Sequence, residues 1–293
     1  MNELRIEGLS KSYGKKQALK LFQYTFTDGV YGLLGPNGAG KSTLMNILTD
    51  NLSADSGSVS FNGTDIRTLA ERYREKIGFV PQQQQLYPAM TLERFLYYMA
   101  ALKGLTKAET KRQIDRILPM VNLADVRQKR LGGFSGGMRQ RALIAQAVLG
   151  DPAVLILDEP TAGLDPKERV RIRNLISQVA FNKIVIIATH IVTDIEMIAK
   201  EVVFLREGEI CMSGNLQKLC TDALQGNMFY VWVPYENWEE ISQKYPVSQV
   251  TREGDRVRLK VLSDREPGEE WKEAVPTLED LYLYLYDREE KKE

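Results

Sequence analysis

Apolar residues recur along this chain with two periods, and each change of period marks an element. Leu4-Arg5-Ile6-Glu7 alternates apolar and polar side chains, as a half-buried strand requires. Val30, Leu33 and Leu34 close a further strand, and Leu44, Met45, Ile47 and Leu48 follow at helical spacing. Val59-Ser60-Phe61 predicts a strand that turns at Asn62-Gly63, a hairpin dipeptide. Ile77-Gly78-Phe79-Val80 predicts another short strand, stopped by Pro81. Across residues 90–130 the period is helical. Thr91 is placed to cap a helix that carries Leu92, Phe95, Leu96 and Met99. Thr106 and Glu109 have capping-box spacing, and Pro119 is expected to end the helix they begin. Uninterrupted apolar runs return at Val154-Leu155-Ile156-Leu157 and at residues 184–188, the length of buried parallel strands. Strands on both sides of a helical segment predict an α/β core with an inserted helical subdomain.

The pattern shifts again after about Leu216. Phe229-Tyr230-Val231-Trp232-Val233 reads as a strand. Residues 250–262 read as a hairpin turning at Glu253-Gly254-Asp255, with Val257, Leu259 and Val261 facing inward. Thr277 then starts a helix with Leu278, Leu281, Tyr282 and Leu285 on one face. Asp287-Arg288-Glu289-Glu290-Lys291-Lys292-Glu293 reads as a solvated tail, and residues 82–85 are a short glutamine run. There is no long internal repeat and no heptad array.

Composition narrows the possibilities. The 293 residues are 43% hydrophobic, enough for a substantial core. Lys+Arg and Asp+Glu both number 39, so no bulk basicity points to nucleic acid. The 2 cysteines, Cys211 and Cys220, lack metal or redox spacing and read as reduced thiols. Met1 to Tyr13 carries no apolar core of signal-peptide type, and no apolar run approaches the ~18 residues of a bilayer span.

The chemistry concentrates in three stretches. Gly35-Pro36-Asn37-Gly38-Ala39-Gly40-Lys41-Ser42-Thr43 fits G-x-x-x-x-G-K-[ST] at every fixed position. Its glycines let backbone N–H groups point inward at phosphate oxygens, and the following helix adds the positive end of its dipole. Lys41 is placed to reach the β- and γ-phosphates of ATP, and Ser42 to offer its hydroxyl to Mg2+. Next, Val154-Leu155-Ile156-Leu157 ends in Asp158-Glu159. Asp158 suits the metal, and Glu159 suits the polarisation of an attacking water. In Phe134-Ser135-Gly136-Gly137-Met138-Arg139-Gln140-Arg141, Ser135 can cap a helix running to Leu149, with two glycines leaving N–H groups bare.

The order and spacing of these stretches resemble the nucleotide-binding subunit of ATP-binding-cassette (ABC) transporters over about residues 2–215. Phe134 to Met138 corresponds to that family's signature, usually Leu-Ser-Gly-Gly-Gln. Asp158-Glu159-Pro160-Thr161 and Ala162-Gly163-Leu164-Asp165-Pro166 resemble its extended metal-binding strand end and the loop after it. The implied fold is a P-loop NTPase core with a mixed sheet, an antiparallel β subdomain and a helical subdomain over about 87–135. Residues 1–215 would form this domain, and 216–293 a small α+β accessory region. The resemblance further implies that Tyr13, in Ser10-Lys11-Ser12-Tyr13-Gly14, stacks on adenine. Gln82 would touch Mg2+ and sense a membrane partner. His190, the only histidine, would contact the γ-phosphate. Met138 departs from the pattern, since a thioether cannot donate the hydrogen bond of a glutamine.

The family resemblance also implies two such domains facing head to tail, as a homodimer or a heterodimer. Each ATP would lie between the Lys41 loop of one and the helix start at Ser135, Gly136 and Gly137 of the other. Asp165 would join the nucleotide-binding residues there. With no span of its own, a transporter subunit needs an integral-membrane permease and would sit peripherally on the cytoplasmic face of the membrane. Residues 87–131 are the expected docking surface, with Tyr87, Tyr97 and Tyr98 as its aromatic candidates. Pro276-Thr277-Leu278-Glu279-Asp280 and the signature variant resemble the exporter branch of bacitracin- and multidrug-resistance ATPases. The competing reading is a soluble ATP-dependent clamp or regulator built on the same cassette.

Overall fold

Strictly alternating and continuously apolar segments build different sheets in this chain. The computed structural model describes residues 1–82, 86–264 and 271–286. Residues 83–85 of the glutamine run and the charged tail from Asp287 lie outside the described residues. Backbone contacts divide the chain into two compact units, one ending at Ser213 and the other beginning at Gly214.

The first unit contains β1 (Glu3–Tyr13), β2 (Lys16–Thr27), β3 (Gly29–Leu34), β4 (Ser56–Phe61), β5 (Thr64–Asp65), β6 (Ile77–Val80), β7 (Val154–Asp158), β8 (Ile184–Ala188), β9 (Glu201–Arg206) and β10 (Glu209–Gly214). Four of them form an antiparallel sheet in the order β2-β1-β4-β5. Leu4, Ile6 and Leu9 on β1 and Phe22 and Phe26 on β2 bury their side chains in the core. The turn at Asn62-Gly63 has φ of 50° and 80°, the left-handed pair that a two-residue hairpin needs.

The other six strands run β10-β9-β3-β8-β7-β6. Neighbours from β9 to β6 pair in parallel. Val154, Leu155, Ile156 and Leu157 are all fully buried, which explains their lack of alternation. Parallel pairing has a functional consequence, because the C-terminal ends of these five strands lie on the same edge. The Lys41 loop follows β3, Gln82 follows β6, Asp158-Glu159 ends β7, and Thr189-His190 follows β8. Chemistry scattered across the sequence converges on one edge of one sheet.

The helical insert carries helices Leu92–Leu102 and Lys107–Met120. Thr91 caps the first, and Thr106 and Glu109 form a full capping box on the second. Leu92, Phe95 and Leu96 are buried, whereas Met99 is half-buried and Ala100 completes the inner stripe. The second helix does not end at Pro119 but continues to Met120. In a last turn, the missing N–H of proline removes one bond and no more. The insert is pinned where it leaves the core, since Leu92 N donates to Lys129 O at 3.1 Å and Leu131 N to Met90 O at 2.9 Å. Tyr87 and Tyr98 are exposed and meet edge to face at 5.6 Å, while Tyr97 is half-buried. The helix capped by Ser135 spans Gly136–Ala147, with the chain to Leu149 tightening through Leu149 N to Gln146 O.

The second unit holds β11 (Met228–Pro234), β12 (Val247–Glu253), β13 (Arg256–Leu262) and β14 (Lys272–Glu273), in the order β12-β13-β11-β14. Phe229, Val231, Val257, Leu259 and Val261 form its core under Trp238 and Ile241 of the helix Trp238–Lys244. Thr277 N donates to Asp280 Oδ2 at 2.7 Å at the start of helix Leu278–Tyr286. The same carboxylate takes the buried ammonium of Lys260, so one acid both caps a helix and satisfies a core cation. Cys211 and Cys220 are not joined in a disulfide. Among the described residues no helix is long and apolar enough to cross a membrane.

Candidate functional site

The loop after β3 owes its shape to glycine. Gly38 and Gly40 have φ of 83° and 109°, and a Cβ on Gly40 would lie 2.5 Å from the Ala18 carbonyl oxygen. The loop can therefore close onto β2 only without a side chain there. Gly40 also stands at the N-cap of helix Lys41–Leu48, where no side chain caps the first turn. The N–H groups of that turn stay open to an anion. Lys41 is 8% exposed, and its Nζ donates to Gly35 O at 2.6 Å and Pro36 O at 3.0 Å. Burial pushes its pKa down, against the opposing pull of Glu159 and Asp158.

The loop forms one wall of a cleft of about 230 Å³. Asn37, Gly38, Gly40, Lys41, Ser42 and Thr43 line that wall. Tyr13, Gln82, Asp158 and Glu159 line the remainder. Gly35, Pro36 and Ala39 do not line the cleft; the Ala39 side chain lies in the core, and its carbonyl accepts from Gly208 N at 3.0 Å. Burial, and then the charge of Glu159, push the Asp158 carboxyl up to about 6, with Lys41 opposing.

Glu159 is held from the next strand. Asp158 pairs with Ala188 across β7 and β8, so Glu159 falls beside Thr189 and His190. Its backbone takes a positive φ of 50°, and its N–H donates to Ala188 O at 2.8 Å. Thr189 Oγ1 donates to Oε2 at 3.1 Å, and His190 N donates to Oε1 at 3.1 Å. His190 Nδ1 lies 2.8 Å from the same Oε1. The carboxylate is the buried partner, with 8% of its side chain accessible against 59% for the imidazole. Sequence reasoning pointed His190 at phosphate, and in this structure its Nδ1 meets Glu159.

Four further candidates stand apart from the cleft. Ser135 and Gly136 are exposed, and Gly137 is buried. Ser135 Oγ accepts from Met138 N at 3.3 Å. A Cβ on Gly137 would lie 2.3 Å from Glu168 Oε2, so the glycine gives Glu168 its place. Asp165 caps the helix Pro166–Val179 by accepting from Glu168 N at 2.9 Å. Arg141 ties this corner to the insert, donating to the Asn122 carbonyl at 2.8 Å and lying 3.5 Å from Glu168 Oε2.

Sequence reasoning missed Lys16 and Ala18, which also line the cleft, and Thr189, which holds Glu159. The signal for Lys16 was present. Gly14-Lys15 forms a two-residue turn, which sets Lys16 directly opposite Tyr13.

Comparison with known proteins agrees with this geometry. Residues 19–162 match the family described as ABC transporter. YxlF of Bacillus subtilis (strain 168), an uncharacterized ABC transporter ATP-binding protein, is 34% identical over 96% of this chain and 98% of its own. The Nod factor export ATP-binding protein I of Rhizobium sp. (strain N33) is 29% identical over 98% of both chains. A solved dimeric ATP-binding cassette in a post-hydrolysis state with ADP and Pi superposes with a TM-score of 0.65, at 25% identity over 72% of this chain and 98% of that one. The α/β cassette with its parallel sheet, its loop-and-cleft edge and its whole-length relatives together make this chain a member of the ABC transporter ATP-binding proteins, a family of ATPases.

Proposed function

We propose that two cassettes of this kind meet head to tail and close on ATP, and that hydrolysis reopens them to drive a separate membrane permease. The observation that carries this reading is the separation of the two phosphate-type helix starts. The Lys41 loop opens into a cleft with Glu159 at its edge, whereas Ser135 and Gly136 are exposed and line no part of that cleft. A second chain supplies the missing half. ATP then acts as glue, because its γ-phosphate takes charge-assisted hydrogen bonds from both chains. Hydrolysis removes them, which makes the dimer a two-state element biased by nucleotide.

Roles follow from position. Tyr13 offers a face to adenine at the mouth of the cleft, and Lys41 supplies the charge that meets the outer phosphates. Glu159 takes the proton of the attacking water, with Thr189 and His190 holding its two oxygens. Ser42, Gln82 and Asp158 present hydroxyl, amide and carboxylate oxygens to one cleft, a hard donor set that suits Mg2+ beside phosphate. When bound, the ion neutralises phosphate charge as it develops.

The relative named for Nod factor export supports an exporter, and the helical insert with Tyr87 and Tyr98 exposed supports docking there to a permease. Such an assembly places residues 1–215 as the motor domain at the cytoplasmic face of the membrane and 216–293 as an accessory region.

Glu159→Gln tests the reading. It is expected to bind ATP, to lose turnover by about 10²-fold or more, and to accumulate as a dimer on light scattering. Near-normal turnover overturns the role of Glu159. Pull-down of the ATP-locked variant from detergent-solubilised cells should retain a multi-span membrane protein. A soluble partner alone would move the reading to a clamp or regulator.

A further inference from the structure

The β1–β2 hairpin does more than present an aromatic ring. Tyr13 and Lys16 are cross-strand partners, so their side chains leave the hairpin on the same face. Both line the cleft. Ala18, two residues further along β2, lines it too. Lys16 Nζ lies 3.4 Å from the position a Cβ would take on Gly38, in the middle of the phosphate loop. The side chain is exposed, and no carboxylate pairs with it among the described residues. Lys41, by contrast, spends its hydrogen bonds on the carbonyls of Gly35 and Pro36.

We infer that Lys16 is a second phosphate-binding cation, which reads the charge of the nucleotide's phosphate chain beside Gly38, in addition to the buried Lys41. This rests on the cleft being the nucleotide site. The hairpin is fixed against the loop, because the Ala18 carbonyl fills the space next to Gly40 and Lys20 N donates to Gly208 O at 2.9 Å. The Lys16 backbone is therefore already in place beside the loop, and only its side chain has to order on an anion seated there. Tyr13 and Lys16 pair across the end of the hairpin, so one hairpin holds both a stacking surface and a charge. The ligand class it selects is a nucleoside polyphosphate over the corresponding nucleoside.

The test is calorimetric titration of the full chain with ADP, and competition with adenosine, for Lys16→Gln, Lys16→Arg and Lys15→Gln. Lys16→Gln is expected to weaken ADP about 5–10-fold, the worth of one exposed charge-assisted contact, and to leave adenosine unchanged. Its ADP affinity should also vary less with salt. Lys16→Arg should stay within about twofold of the parent, as should Lys15→Gln, whose side chain lines no part of the cleft. Unchanged ADP affinity in Lys16→Gln overturns the inference. So does an equal loss for ADP and adenosine, which would mean that Lys16 only shapes the hairpin. If the parent chain binds no ADP, or Lys41→Ala binds it as well as the parent does, the reading of the cleft itself fails.

Discussion

Two helices in this chain start on a glycine-rich turn, and their surroundings are opposite. The helix Lys41–Leu48 begins at Gly40 with nothing capping it, inside a cleft walled by Asp158 and Glu159. The helix Gly136–Ala147 begins at Ser135, whose own hydroxyl accepts from Met138 N, on an exposed surface. Both have bare glycines and a dipole. The second gives one of its donors to the Ser135 hydroxyl, and only the first has no side-chain cap and gathers charged side chains around it. A helix start becomes a complete anion site when its cap is missing and a cation such as Lys41 stands beside it. A start that caps itself has a stable helix without ligand, and binds an anion only if another surface brings one. The acids near the second start are committed as well: Asp165 caps its helix, and Glu168 meets Arg141 and Arg171.

The sharpest break of this comparison is Lys41→Ala. It removes the cation from the complete site and leaves the other untouched. ATP affinity should fall by roughly 10–100-fold, the worth of a hydrogen bond to a charged group, when measured by titration of the full chain. Retained affinity would mean that the Gly35-to-Thr43 loop is not where nucleotide binds, and the contrast between the two starts would collapse.

How far the sequence carried this picture depends on where the information is stored. The loop was legible because its glycines and lysine are adjacent in the chain. The strand β7 was legible because burial on both faces demands an unbroken apolar run. The hairpin at Asn62-Gly63 and both threonine caps follow from local backbone chemistry, and the structure has them where they were expected. What was not legible depends on pairing. Glu159 and His190 meet because β7 and β8 run in parallel register, which neither segment encodes alone. Lys16 gains its meaning from Tyr13, its partner across the hairpin, and the Gly14-Lys15 turn is the one local signal of that pairing. Strand β2 hid for another reason: Leu21 has a φ of 51°, and the β1–β2 register shifts along its length, so its alternation is interrupted. The helix Pro166–Val179 was masked by its own start, where Asp165-Pro166 carries a cap signal that also fits a family motif.

The second start is probed by Ser135→Ala. The helix loses its cap, which costs about 1 kcal/mol of stability, and the surface loses a hydroxyl donor. ATP binding by a single chain should be unchanged, because Ser135 lines no part of the Lys41 cleft. ATP-dependent dimerisation, followed by light scattering in the Glu159→Gln background, should weaken about tenfold. A loss of ATP affinity in the single chain, with dimerisation intact, would place Ser135 at the first site and reverse the comparison.

The smallest effect concerns the charge that distinguishes the two starts. Burial and the neighbouring Glu159 raise the Asp158 carboxyl from its ordinary 3.8 to about 6. Between those values the folded chain keeps a proton that the unfolded chain has released. Stability of the nucleotide-free chain therefore falls as pH rises through that window. Asp158→Asn carries no such proton and no such cost. Its melting temperature should match the parent below the window and exceed it above. Solvent around this partly open group holds the difference to about 1 kcal/mol, or about 2–4 °C. The same substitution should lower ATP turnover, so stability and activity move in opposite directions. That opposition is the signature of a carboxylate kept for its ligand rather than for the fold. Melting curves that coincide at every pH would mean that the charge is already balanced without nucleotide, and that the cleft is no more electrostatically loaded than the exposed start at Ser135.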